Sequence, residues 1–233
     1  MTAPALRQFG PEIWLADGAQ VEVVGFHYPT RMAVIRLAAG GLLVWSPVAL
    51  SDGLRNELAA LGEVRHLIAP NTLHDRWLAD WQAAFPSATL HAAPGLERRR
   101  PDLRIDAALA DLPPPAWAAE IDQVVVPGNR ITTEVVFFHR PSGTVLFTDL
   151  LQQFPRRWFR GWRALVARLD LMTGDEPAVP RKFRMAFVDR PAARAAVRRI
   201  LEWPSSKLLV AHGAPVVHDV GAVVARAFRW LAV

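Results

Sequence analysis

Residues 64–75 read Val-Arg-His-Leu-Ile-Ala-Pro-Asn-Thr-Leu-His-Asp, and the break inside them sets the architecture. Val64–Ala69 is a stretch of strand length whose apolar residues are Val64, Leu67, Ile68 and Ala69. Pro70 ends it, because proline cannot donate to a sheet ladder, and four polar residues, Asn71, Thr72, His74 and Asp75, crowd the turn that follows. Upstream, Ser51 fits an N-cap and Gly62 a C-terminal stop around Leu54, Leu58 and Leu61, which share one helix face. Downstream, Trp77, Leu78 and Trp81 predict a helix over 75–85, and 88–92 a further strand. Strand and helix alternate here, which implies parallel crossovers.

Working outward, residues 13–16, 20–24, 32–38 and 42–46 read as strands rich in Val, Ile, Leu and Trp, with His27-Tyr28-Pro29 in a loop and Gly40-Gly41 as a tight hairpin turn. The pattern dissolves over 94–116, through Glu97–Asp102 and Leu112-Pro113-Pro114-Pro115, which reads as a connection within one fold spanning 1–233. Strands resume at Ile121–Val126, Glu134–His139 and 144–148, with a turn at Pro141-Ser142-Gly143. Helices are expected over 157–169, 191–201 and 217–231, with a buried strand at 207–211. Strands followed by helices in both halves fit two stacked sheets flanked by helices.

Composition narrows the classes. With 52% hydrophobic residues and a mean hydropathy of +0.14, the chain can bury a large core, so overall disorder is excluded. No apolar run approaches the roughly 20 residues that span a bilayer, so no membrane insertion is expected. The N-terminal stretch, broken by Arg7, Glu12 and Asp17, does not read as a secretory signal, and a cytoplasmic location is the expectation. The absence of cysteine excludes disulfides, thiolate metal sites and cysteine nucleophiles. The net charge is +5, yet residues 1–116 carry 10 bases and 12 acids against 17 and 10 in 117–233. The positive excess gathers around 156–168 and 181–199.

Four strands share one feature: each ends on a His, Asn or Asp. Val64–Ala69 leads to Asn71, His74 and Asp75; Ile121–Val126 to Pro127-Gly128-Asn129; 144–148 to Asp149; 207–211 to His212-Gly213. Ligands in sheet proteins flanked by helices bind outside strand ends, where loops converge without disturbing the core. Any one of these residues alone reads as an ordinary capping or hydrogen-bonded group.

In this order the chain resembles the metallo-β-lactamase superfamily, from Ile13 to about Ala214. The resemblance implies a four-layer αββα sandwich. It also implies a metal motif His-x-His-x-Asp-His after a strand, matched here by Ala69-Pro70-Asn71-Thr72-Leu73-His74; a Pro-Gly-His turn, matched by Pro127-Gly128-Asn129; a bridging aspartate, matched by Asp149; and a late histidine before glycine, matched by His212-Gly213. The three-histidine metal therefore meets Ala69, Asn71 and Asn129, and only His74, Asp149 and His212 remain. Two imidazoles and a carboxylate can hold one zinc or iron ion. The preference at this point is for an emptied site with no tightly bound ion, whose polar groups bond to one another.

Asp75 reads as an acid at a helix start that could also orient a ligand, and Glu134 as a strand-end acid that could reach the same mouth. His139 reads as structural, and His66, His91 and His218 carry no role. In and just after 154–163, Trp158, Trp162, Leu165 and Leu169 fall at helical spacing, predicting a helix with this face in the core and Arg156, Arg160 and Arg163 solvated. Three functions compete: a weakly active, single-metal hydrolase; a non-catalytic pocket for an unidentified small molecule; and a nucleic-acid or membrane-surface module using the Arg/Trp segment, although no specific nucleic-acid motif occurs.

Overall fold

The computed structural model describes residues 6–233. Seven strands form the first sheet in chain order: β1 (Arg7–Gly10), β2 (Ile13–Val23), β3 (Phe26–Arg36), β4 (Leu42–Trp45), β5 (Val64–Ala69), β6 (Thr89–Ala92) and β7 (Ala107–Ala108). β1 to β4 pair antiparallel. From β4 to β7 the pairs are parallel, joined through the helices α1 (Asp52–Leu61), α2 (Leu78–Ala84) and α3 (Leu96–Arg99). The second sheet has the order β11-β10-β9-β8, built from β8 (Ile121–Val126), β9 (Glu134–His139), β10 (Thr144–Gln152) and β11 (Lys207–His212). β11 joins parallel to β10 because the chain crosses over through α4 (Trp162–Leu169), α5 (Arg181–Ala186) and α6 (Arg190–Leu201); α7 (Val220–Phe228) follows.

Strand side chains alternate between faces, and that period of two sorts the apolar residues into three cores. Met32, Val34, Val44 and Leu67 pack outward with Leu54 and Leu58 of α1 and Leu78 and Trp81 of α2. Their neighbours Ala33, Ile35, Trp45 and Ile68 face inward and meet Val135, Phe137, Leu146 and Leu209 of the second sheet. Val136, Phe138, Val145, Phe147 and Val210 then pack on Ala193, Val197, Val224 and Phe228 of α6 and α7. Helices, sheet, sheet, helices: the αββα sandwich follows from alternation in strands buried on both faces. The Ser51 hydroxyl caps α1 by accepting from the Leu54 amide at 3.2 Å. Among the described residues, no helix is long and apolar enough to cross a membrane.

Several local expectations are corrected. The two early strands at 13–16 and 20–24 are one strand, and His27, Tyr28 and Pro29 lie inside β3 rather than in a loop. Val24 and Gly25 turn the chain in two residues at φ of 50° and 78°, the twist a tight hairpin needs, so Val23 pairs with Phe26 and Val21 with Tyr28. Pro29 is tolerated because it lies opposite the register break between Gly18 and Val21. The connection over 94–116 contains α3 and the edge strand β7.

The largest correction concerns 157–169. Pro155 and Gly161, the latter at φ 57°, keep the helix from starting before Trp162. Phe154 and Phe159 enter the core with Phe26, Ala167 and Met172, while Trp162, Leu165 and Leu169 stay more than half exposed. Helical spacing was read correctly within the last two turns, but the apolar stripe does not face the core. Trp158 is partly buried and donates its indole N–H to the His27 carbonyl at 2.9 Å. This placement predicts that Phe137→Ala lowers unfolding free energy by about 3–5 kcal/mol. Trp162→Ala should change it by less than about 1 kcal/mol, both read from urea denaturation.

Candidate metal centre

The polar strand ends meet at one edge of the sandwich. Beyond β5, the Asn71 side-chain oxygen accepts from the amides of Leu73 and His74, both at 2.9 Å, folding the chain back so that His74 turns inward. The Pro70 carbonyl accepts from the Val135 amide at 2.8 Å, which fastens this turn to β9. Asp149 sits where the β10–β11 ladder is irregular, between Phe147 and Gln152. His212 is the last residue of β11. Arg31 locks that end by donating from Nη1 to the carbonyls of Val210 and Gly213. Gly213 must be glycine because a Cβ there would lie 2.7 Å from the Gln153 carbonyl oxygen.

His74 Nε2 stands 3.2 Å from Asp149 Oδ2 and His212 Nε2 stands 3.4 Å from Oδ1. One ligand atom from each residue lies within 4.8 Å of the others. The far nitrogens are engaged: His212 Nδ1 bonds the Pro29 carbonyl at 2.7 Å and His74 Nδ1 the Ser46 hydroxyl at 2.7 Å. A carbonyl only accepts, so His212 Nδ1 carries the proton. In the neutral ring, the Nε2 lone pair then faces a carboxylate oxygen. Acceptor against acceptor holds only with a proton or a cation between them. The residues present therefore fit a single cation.

The rest of the shell is hydrogen-bonded protein. Asn71 Nδ2 donates to Asp149 Oδ2 at 2.7 Å and to Thr148 Oγ1 at 2.8 Å, and Gln152 Nε2 to Asp149 Oδ1 at 3.3 Å. Burial alone would push the Asp149 carboxyl up; the charges and hydrogen bonds of His74 and His212 outweigh it and hold the group well below the usual carboxylate range. Glu134 is fully buried beneath, accepting from the backbone amides of Thr148 and Asp149 at 2.8 Å and of Leu150 at 3.0 Å. Burial and the charge of Asp149 push its carboxyl up, against those amides.

The family model described as "Domain of unknown function (DUF4336)" matches residues 11–164. The chain belongs to this family. No curated protein sequence matches it. Among solved structures, the DUF4336 chain superposes on "Metallo-beta-lactamase from Pontibacter korlensis" with a TM-score of 0.64 at 9% identity, over 99% of each chain. It superposes on the metallo-beta-lactamase FIM-1 from Pseudomonas aeruginosa, in a mono-zinc form, with a TM-score of 0.65 at 10% identity, over 100% of this chain and 97% of that one. The Flv1 flavodiiron core from Synechocystis sp. PCC6803 gives 0.67 at 11% identity, over 98% of this chain and 61% of that one. The DUF4336 chain has the metallo-β-lactamase fold.

Of the residues singled out in the sequence, His74, Asp149, His212, Asn71 and Glu134 come together in this DUF4336 chain. Asn129 spends its amide elsewhere, donating to the Phe183 carbonyl and accepting from the Ile131 amide, both at 2.9 Å. Asp75 lies on the rim, paired with Arg99 at 3.3 Å and Arg100 at 3.7 Å, outside the helix it was expected to start. His66 and His91 bond each other at 3.2 Å beside Trp117, and His139 bonds Ser142 at 2.8 Å.

Ser46, Gln152, Tyr28 and Lys182 were not read as site residues. Ser46 follows β4 at φ 53°, a strained conformation for a non-glycine residue. Tyr28 packs edge-on to His212, with ring centroids 5.4 Å apart, and accepts from Lys182 Nζ at 3.2 Å. Tyr28 in mid-strand and Lys182 in a short helix give no strand-end signal, whereas Ser46, directly after the apolar Leu42–Trp45, carries the same signal as His212. Glu134→Gln replaces one accepting oxygen with a donor facing backbone N–H groups. It should cost about 2–4 kcal/mol of stability, measured by chemical denaturation.

Proposed function

We propose that His74, Asp149 and His212 bind one divalent ion, zinc or iron, and that the protein is a single-metal hydrolase of low turnover acting on an ester or phosphoester. The observation that carries this reading is the pair of imidazoles held by Ser46 and Pro29 with both Nε2 atoms on the Asp149 carboxylate. Bound there, the ion would supply a Lewis acid that makes water nucleophilic near neutral pH. The chain supplies the rest. Asp149 is kept ionised by its neighbours, Asn71 and Gln152 hold its two oxygens in place, and the loop pinned by Asn71 sets the angle of His74.

A second ion has no comparable support. Ala69 offers no donor, Asn71 turns its N–H groups on Asp149, and Asn129 is bonded to Phe183 and Ile131. FIM-1, which shares the fold, is described in a mono-zinc form. The same saturation of Asp149 favours the second reading, a hydrogen-bonded pocket that binds a small molecule without turning it over. Neither reading calls for nucleic acid or membrane insertion.

Metal analysis of protein purified without chelator should give one ion per chain at most, absent from His212→Ala. Ser46→Ala should weaken metal affinity about 10–100-fold by releasing the His74 ring. Nitrocefin should not be hydrolysed. Two tightly bound ions with brisk, His212-dependent turnover would overturn the proposal, and no ion at any concentration would leave the small-molecule pocket as the function.

A further inference from the structure

The triad opens into a cavity of about 1030 Å³, at the upper end of small-molecule sites at about 300–1,000 Å³. Its two ends differ in chemistry. The floor is polar: His74, Asp149, Gln152, His212, Tyr28 and Lys182 line it. Part of the rim is apolar and open to water, and the rest carries Asp75, Arg76, Arg99 and Arg181. Val23 and Val24 from the β2–β3 turn, Ile131 from the β8–β9 connection, Val166 and Leu169 from α4, and Met185 from α5 all line the same mouth, with Val24 88% and Met185 77% exposed. Four separate elements thus present apolar side chains to solvent around one opening. Isolated exposed apolar residues need no explanation, but several grouped on one side of a pocket mouth, with charged residues elsewhere in its lining, mark a surface that a ligand can cover.

The floor says what the ligand carries at its other end. Lys182 Nζ donates to Tyr28 Oη at 3.2 Å and lies 3.4 Å from Asp170 Oδ2. With its oxygen accepting from Lys182, the Tyr28 hydroxyl has its own proton to give, and it has no acceptor among the described residues. Gln152 is 1% exposed, and its Oε1 is likewise without a partner among the described residues. The Tyr28 hydroxyl and the Lys182 ammonium are donors for an oxygen-bearing head, whereas Gln152 Oε1 only accepts and would take a hydroxyl or water beside that head.

We propose that this cavity binds a single-chain acyl amphiphile, its carboxyl or ester carbonyl oxygen held by Tyr28 and Lys182 and its alkyl chain laid along the apolar rim. The proposal rests on the reading that the triad's cavity is the working site, and names its ligand class. A bilayer is not the occupant: the polar floor is recessed below the rim, where an individual molecule reaches it and a lipid surface does not.

The test is calorimetric titration of butanoate, octanoate and dodecanoate, below their micellar concentrations, into protein as purified and into chelator-treated protein. Affinity should rise about two- to fourfold per added CH₂. Tyr28→Phe and Lys182→Met should each weaken octanoate binding at least tenfold, while leaving octan-1-ol binding within a factor of two. Val24→Asp with Met185→Asp, at exposed positions that do not enter the core, should abolish the chain-length dependence. Affinity independent of chain length, insensitivity to the rim substitutions, or binding seen only with phosphatidylglycerol vesicles would overturn the proposal. Chain-length dependence in protein that binds no metal would sustain it and remove the single-ion hydrolase. Bound metal without chain-length dependence would do the reverse.

Discussion

Two buried carboxylates, Glu134 at the start of β9 and Asp149 in β10, lie against one another, and the surrounding structure is arranged to tolerate them. Glu134 is buried within the sandwich and Asp149 lies nearly buried above it. Taking a carboxylate out of water costs several kcal/mol, and a second one nearby adds repulsion. Glu134 is compensated by three backbone amides of the β10 segment that carries Asp149, so the lower acid fixes the geometry of the upper one. Asp149 is compensated by two amide side chains and two imidazoles. Positive charge between the rings and Asp149, whether a proton or a metal ion, is what makes this pair of acids affordable.

The layers were legible because alternation is a strong signal where both faces of a strand are buried. Leu42 to Trp45 has no polar residue to mark a face, yet Leu42 and Val44 go to one core and Leu43 and Trp45 to another. Periodicity could not say which side of an isolated helix meets the core. In α4 the stripe of Trp162, Leu165 and Leu169 has the right spacing and the wrong partner, since the neighbouring core is filled by Phe154 and Phe159. Likewise, the β2–β3 hairpin hid its continuity behind Pro29, a strand breaker excused by a register break that only pairing reveals.

The candidate site was legible at some strand ends, and Ser46, just after β4, shows that even that signal was not read everywhere it occurs. His74, Asp149 and His212 each follow an apolar run, so their convergence could be expected from topology. Asn71 was visible for the same reason, but its work was not: its oxygen closes a turn and its nitrogen restrains Asp149. Tyr28 and Ser46 come from β3 and from the end of β4, in the sheet opposite Asp149 and His212, and Lys182 from a short helix more than 100 residues after both. Their proximity is a product of sheet packing, which carries no local sequence signature.

The apolar rim and the buried acids are linked by dielectric. An imidazole–carboxylate cluster open to bulk water has its charges screened, and the attraction that holds Asp149 ionised between two rings weakens accordingly. Val23, Val24, Val166, Leu169 and Met185 line part of the mouth without closing it, so in the free protein the cavity above the floor is open to water. An alkyl chain laid across them would displace that water and leave Tyr28, Gln152 and the triad as the polar groups at the buried head. Coverage of the rim and strengthening of the floor's electrostatics are then one event. The exposed apolar surface that this chain tolerates at its mouth is the part of the site that such a ligand would complete.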